Sequence, residues 1–225
     1  MDVVRENARE IVERLAAVSS EADRLGMARF GITSAKAKVL GVRMPVLRAM
    51  AKDIGRDHGL ALELWATAVH EARILACLLA EPKRVEEALA EAWVADFDSW
   101  GLCDQCCLNL LDRVPFAYAK AVEWIEREPE FTRRTGFVLM AVLAVHDKKA
   151  EDARFLAWLP LIERHAEDPR NFVKKAVNWA LRQIGKRNAA LREAAMETAR
   201  GLITRDDKTA RWIGRDALKE LESKT

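Results

Sequence analysis

The apolar residues of this chain repeat with the period of a helix throughout, and nowhere do they alternate as a strand requires. Val173, Ala176, Val177, Ala180, Leu181 and Ile184 step at i, i+3, i+4, i+7, i+8 and i+11, which is one face of one helix. Stop signals interrupt the pattern at Gly41 and Pro45, Asp57 to Gly59, Glu81-Pro82, Pro115, Glu128-Pro129, Asp168-Pro169 and Arg205-Asp206-Asp207. They predict helices of roughly 10 to 18 residues joined by short turns, the pattern of helical hairpins. Only 10 Gly and 6 Pro occur in 225 residues, and straight-chain residues that lose little rotamer freedom in a helix dominate.

A loose repeat overlies this period. HEARILACLLA at 70–80, FTRRTGFVLMAVLA at 131–144, NFVKKAVNWALRQIG at 171–185 and KTARWIGRDALKEL at 208–221 share one plan. Each runs from a polar turn through one or two basic residues into an Ala-rich apolar helix. Anchored on Arg134, Lys175 and Arg211, the spacings are 41 and 36 residues, in the range of HEAT-type helix pairs. A helix pair cannot bury its apolar face alone, so neighbouring pairs must stack. The expected fold is all-α, a curved solenoid of stacked antiparallel HEAT-like helix pairs forming a single domain over 1–225. Trp65, Trp124 and Trp158 precede three of the four segments and are expected to pack between hairpins.

Composition excludes several classes. The stretch from Met1 to Arg14 is charged and has no signal-type apolar run, and no segment approaches the apolar length of a membrane span. Cys77, Cys103, Cys106 and Cys107 are too clustered for a secreted disulfide framework, so a cytoplasmic location is expected. The CxxC among them has no second Cys/His pair at zinc spacing, and His58, His70, His146 and His165 are scattered. Packing cysteines, with no metal and no cofactor, is the expectation. Phosphate-binding loops and nucleophile elbows are absent from the sequence.

A net charge of +2 says little, so the placement of charge must carry any argument about partners. From Arg170 to Arg192 the chain holds Arg170, Lys174, Lys175, Arg182, Lys186, Arg187 and Arg192 and no Asp or Glu. Lys175, Trp179, Arg182 and Lys186 share a stripe beside the apolar face. A Trp among cations suits a sugar–phosphate backbone, and a solvated basic face with Trp179 tucked into a neighbour is the alternative.

A second segment, Phe97-Asp98-Ser99-Trp100-Gly101-Leu102-Cys103-Asp104, carries different chemistry. Capping by Asp98 or Ser99 would place Trp100 and Asp104 one turn apart on one face. An aromatic face beside a carboxylate suits a cationic sugar, although a buried Trp and a surface Asp would look the same in sequence. Arg133-Arg134 at a helix start can hold a phosphate, or can pair with Glu128 or Glu130.

Taken together these residues resemble the bacterial DNA alkylation repair family, DNA glycosylases built from HEAT-like repeats. The resemblance runs from about Met27 to the C-terminus, through MARF ending at Phe30, LGVRMPVLRAMAKDI at 40–54, ELWATAVHEAR at 63–73, SWGLCD at 99–104, RR at 133–134 and FVKKAVNWALRQIGKRN at 172–188. It implies hydrolysis of the N-glycosidic bond of N3- or N7-alkylated purines in duplex DNA, without flipping the base. By matching motif it makes Trp100 and Trp179 aromatic walls and Asp104 the carboxylate that stabilises the sugar cation. Arg134 becomes a phosphate clamp, and Phe30 takes a cleft position where some relatives have Tyr. Arg133, Lys174, Lys175, Arg182, Lys186 and Arg187 complete the expected DNA-binding set. Two departures stand out. Phe30 lacks the hydroxyl, and Gly101 replaces a common Asp, which is expected to loosen the helix carrying Asp104.

The expected partner is duplex DNA containing alkylated bases, met by a monomer in a bacterial cytoplasm, on the nucleoid when acting. A non-catalytic HEAT-repeat DNA binder and a protein-interaction scaffold are the alternative functions. The acid-free run favours nucleic acid over protein, and the set Trp100, Asp104, Arg134 and Trp179 favours an enzyme over a passive binder.

Overall fold

The computed structural model describes residues 6–223, so the first five residues of the charged N-terminal stretch lie outside the described residues. Among those described there is no named strand, and one isolated bridge joins Lys38 to Val69. The chain divides into two compact units, Met1–Pro115 and Phe116–Thr225.

The first unit contains α1 (Ala8–Ala17), α2 (Glu21–Arg29), α3 (Met44–Ile54), α4 (His58–Ala66), α5 (His70–Leu79), α6 (Glu87–Ala95) and α7 (Trp100–Asn109). Side-chain oxygens that accept orphan backbone N–H groups set the helix starts. Asn7 and Glu10 form a reciprocal capping box on α1, Ser20 caps α2, Asp57 caps α4 and Ser99 caps α7. Pro45, a stop signal in the sequence reading, instead opens α3, where its missing N–H costs nothing.

Helix α5 is buried along nearly its whole length and packs against α3, α4 and α7. Its Glu71 is fully buried, and its carboxylate accepts the backbone N–H groups of Leu40, Gly41 and Val42 at 2.7–3.2 Å. Those bonds pin the loop before α3. Gly41 is obligatory there: its φ is +84°, and a Cβ would lie 2.3 Å from the Ser20 carbonyl oxygen. Trp65 stacks on Trp93 with ring centroids 4.0 Å apart and donates its indole N–H to Asp96 at 2.8 Å. It is a packing residue, as are the buried Trp124 and Trp158.

The second unit contains α8 (Ala117–Ile125), α9 (Glu130–His146), α10 (Asp152–Leu156), α11 (Leu159–His165), α12 (Asn171–Gly185), α13 (Ala189–Thr204) and α14 (Lys208–Glu222). Helices α10 and α11 are shorter than the sequence predicts, at 5 and 7 residues. The chain turns at Ala157–Trp158, with Phe155 and Trp158 buried edge to face, and Pro160 restarts it in the first turn of α11. Helix α9 lies between α8 and α12, which leaves it buried almost all round.

The repeat is exact enough in this unit to correct its sequence register. Gly136 of α9 would drive a Cβ into Ile125 and the Ala121 carbonyl, and Gly214 of α14 would drive one into Ile203 and the Ala199 carbonyl, the same 11 and 15 residues back. Arg133 and Arg211, each three residues before its glycine, both donate to the carbonyl six residues earlier, Arg127 and Arg205. Arg133 is therefore the counterpart of Arg211. The repeat runs through Arg133, one residue before the expected anchor at Arg134.

Candidate active site and nucleic-acid face

In the first unit the functional segment is the start of α7. The Ser99 hydroxyl accepts the Leu102 N–H and fixes where the helix begins. Asp98 does a different job from capping: its Oδ2 accepts from Ser34 Oγ at 2.8 Å, Ala35 N at 2.7 Å and Lys36 N at 2.9 Å, tying the 34–37 loop to the α7 entrance. Trp100, the first residue of α7, donates its indole N–H to the Phe30 carbonyl at 2.9 Å. The ring orientation is thus set by the end of α2, and Phe30 itself stands 77% exposed. Asp104 lies one turn beyond Trp100 and is only 9% exposed. The structure therefore brings Phe30, Trp100 and Asp104 into one neighbourhood.

The expected loosening at Gly101 is not found. Helix α7 runs unbroken, and Gly101 is buried with the Ile32 side chain 3.3 Å from where a Cβ would sit. A side chain at 101 would press on Ile32, which would have to give by a few tenths of an ångström to admit its Cβ.

The four cysteines are free and fully buried. Burial pushes the Cys106 and Cys107 thiols well up, and hydrogen bonds with Cys77 and Cys103 add to this. A thiol held protonated in the core is a poor nucleophile, and all four cysteine side chains pack in the interior. Among the described residues no three His, Cys, Asp or Glu side chains group as a metal site.

The second unit redistributes the basic run. Arg170 and Arg133 both bind Asp168, Arg133 at 2.9 Å, and Arg133 also reaches Glu128. Burial pushes the Asp168 carboxyl up, but these arginine hydrogen bonds outweigh it and hold the group down at about 2. Arg134 is buried and donates to the Phe172 carbonyl at 2.6 Å, joining α9 to the start of α12. Arg182 and Lys186 both pair with Glu220 of α14. Arg187 donates to the carbonyls of Ala144, Asp147 and Ala150, where it closes the C-terminal end of α9, and its guanidinium covers the Phe155 ring at 4.0 Å. A stretch without acids in sequence is not without acids in space.

What remains available on α12 is narrower than the run implies. Lys175 is exposed and has no ion partner among the described residues, with Trp179 half-buried one turn away. Lys174 lies 5.1 Å over the Trp212 ring of α14. That contact is one rung of a regular ladder: Lys174–Trp212, Asn178–Asp216 and Arg182–Glu220 join the two helices at a constant offset of 38 residues.

The ladder brings in residues that the sequence reading treated only as repeat. Lys208, Arg211, Trp212, Arg215 and Lys219 line one groove along α14 with Asp216. Their spacing of i, i+3, i+4, i+7 and i+11 was the available signal.

Residues 11–221 match the model of the family described as DNA alkylation repair enzyme. The chain belongs to the DNA alkylation repair enzyme family. Its fold is similar to that of a solved structure described as a new family of proteins related to the HEAT-like repeat DNA glycosylases with affinity for branched DNA structures. The TM-score is 0.81 at 22% identity, covering 97% of this chain and 95% of that one. At that identity the likeness establishes the fold, which is therefore of the HEAT-like repeat class. No curated protein matches the sequence significantly. In this DNA alkylation repair protein, α7 sets the buried Asp104 one turn from an indole that the Phe30 carbonyl orients.

Proposed function

We propose that the protein is a DNA glycosylase that hydrolyses the N-glycosidic bond of N3- or N7-alkylated purines in duplex DNA, without flipping the base. The observation that carries this reading is the Trp100–Asp104 pair on α7, with the indole oriented by the Phe30 carbonyl and the carboxylate nearly shielded from solvent. Alkylation at N3 or N7 makes the purine cationic. When its bond to the sugar breaks, both electrons leave with the base, which departs neutral, and the positive charge passes to the deoxyribose. Asp104 stabilises that charge and orients the water that adds to C1′, whose proton then passes to solvent. A carboxylate of low exposure acts in a poorer dielectric than bulk water, so its field on the sugar is stronger.

The remaining roles rest on the family resemblance. Trp179 serves as a second aromatic wall and Lys174 and Lys175 as backbone contacts; Arg134, buried with one guanidinium nitrogen on the Phe172 carbonyl, clamps a phosphate only through its other donors. Arg133, Arg182, Lys186 and Arg187 already hold carboxylates or carbonyls of the fold, so they contribute mainly by shaping this face. In this reading the chain acts as a monomer and as one functional domain on nucleoid DNA in a bacterial cytoplasm. No helix of the described residues is long and apolar enough to cross a membrane.

The test is incubation with duplex DNA carrying N7-methylguanine or N3-methyladenine, followed by assay for free base and abasic sites. Release is expected from these cationic lesions and much less from an uncharged one, because this mechanism assigns no general acid to protonate a neutral leaving base. A second reading draws on the structural relative's affinity for branched DNA. Tight binding of a four-way junction with no base released from any lesion would favour that passive role.

A further inference from the structure

Helix α14 carries a feature that duplex binding does not require. Trp212 is 39% exposed, a large indole left open amid Lys208, Arg211, Arg215 and Lys219. The groove these residues line has a volume of about 440 Å³, ample for a nucleobase. Its one lining acid, Asp216, and the neighbouring Glu220 and Asp206 are already engaged. Asp216 accepts from Asn178 at 2.6 Å, Glu220 is held by Arg182 and Lys186, and Asp206 lies 3.2 Å from Arg211. Lys208, Arg215 and Lys219 are exposed and have no ion partner among the described residues. The four cations span one face from 208 to 219, about 16 Å of helix, the reach of several phosphates.

We infer that the Trp212 groove of α14 binds single-stranded nucleic acid, with an unpaired base stacked on the indole and its phosphates on Lys208, Arg215 and Lys219. The chemistry is selective for unpaired bases because the faces of paired ones are covered by their neighbours in the stack. Lys174 steadies the ring, its ammonium 5.1 Å from the centroid, so the indole is held in place before any base arrives. An acidic peptide would satisfy the cations but would leave the exposed indole unused. This inference rests on the nucleic-acid-binding half of the proposed function and not on base release.

The experiment uses the full chain and a fluorescein-labelled oligothymidylate, read by anisotropy, with an undamaged duplex and polyglutamate as comparisons. Trp212→Ala is expected to weaken oligothymidylate binding about tenfold while changing duplex affinity less than about threefold, and Trp212→Phe should recover most of the loss. Arg215→Ala with Lys219→Ala should reduce the slope of log affinity against log salt by about 1.4, the single-strand value for two lost phosphate contacts. Asp104→Asn should leave oligothymidylate binding unchanged, so a failure here is distinct from a failure of base release. Unchanged oligothymidylate affinity in Trp212→Ala would overturn the inference. So would an equal loss for single strand and duplex, or displacement by polyglutamate as effective as by unlabelled oligothymidylate.

Discussion

Asp168 ties the first turn of α9 to the turn that precedes α12. Read along the chain it is a turn residue before Pro169, yet it gathers Arg133 and Arg170 and is held down at about 2 against the burial that pushes it up. A carboxyl lowered in the folded state contributes stability that is complete above its unfolded value near 4. The contribution disappears as pH falls from there towards 2. Asp168→Asn is therefore expected to cost about 1–2 kcal/mol at neutral pH, discounted for partial solvent screening, and little at pH 2. Urea unfolding at both values checks this, and an equal cost at both would assign the effect to packing. At this scale Ser99 was legible as a cap, because a small hydroxyl before an apolar helix has few other uses. Asp98 was not, because its partners at 34–36 lie more than sixty residues away.

Helix α12 shows the same limit at the level of the element. Its apolar face follows directly from the spacing of Val173 to Ile184, every one of which is buried. Its charge does not, because Glu220 and Asp216 arrive from α14 by a ladder that local pattern cannot reveal. Lys174→Ala and Lys175→Ala should each lower the salt slope of duplex binding by about 1, as a lost phosphate contact does. Arg182→Ala should leave the slope nearly unchanged and instead lower stability by roughly 1 kcal/mol, since Glu220 loses a half-buried partner. A slope change for Arg182→Ala as large as that for Lys175→Ala would contradict this division. The glycines were also silent in sequence. Gly214 reads as a weak spot in a helix, yet it lets α14 approach α13 so closely that a Cβ would sit 2.5 Å from the Ala199 oxygen. Gly214→Ala should destabilise the protein by about 1–3 kcal/mol despite its better helix propensity, a sign that thermal melting would read directly.

For the whole molecule, the class of fold was legible because period and repeat are properties of many residues at once, and the HEAT-like likeness agrees with them. The candidate chemistry was legible at SWGLCD because capping and a one-turn spacing are local. What could not be read locally was the hold of the Phe30 carbonyl on the Trp100 indole, seventy residues away, and the Ile32 side chain that a Cβ at Gly101 would press on. Both bear on the central claim, that α7 places a carboxylate to stabilise a sugar cation. The most direct test is single-turnover release of N7-methylguanine from duplex DNA by Asp104→Asn, with duplex affinity and thermal stability measured on the same protein. The account predicts release slowed about tenfold to a thousandfold with binding and folding retained, the usual weight of one electrostatic contact in an active site. Release at the wild-type rate by the folded, DNA-binding variant would contradict it.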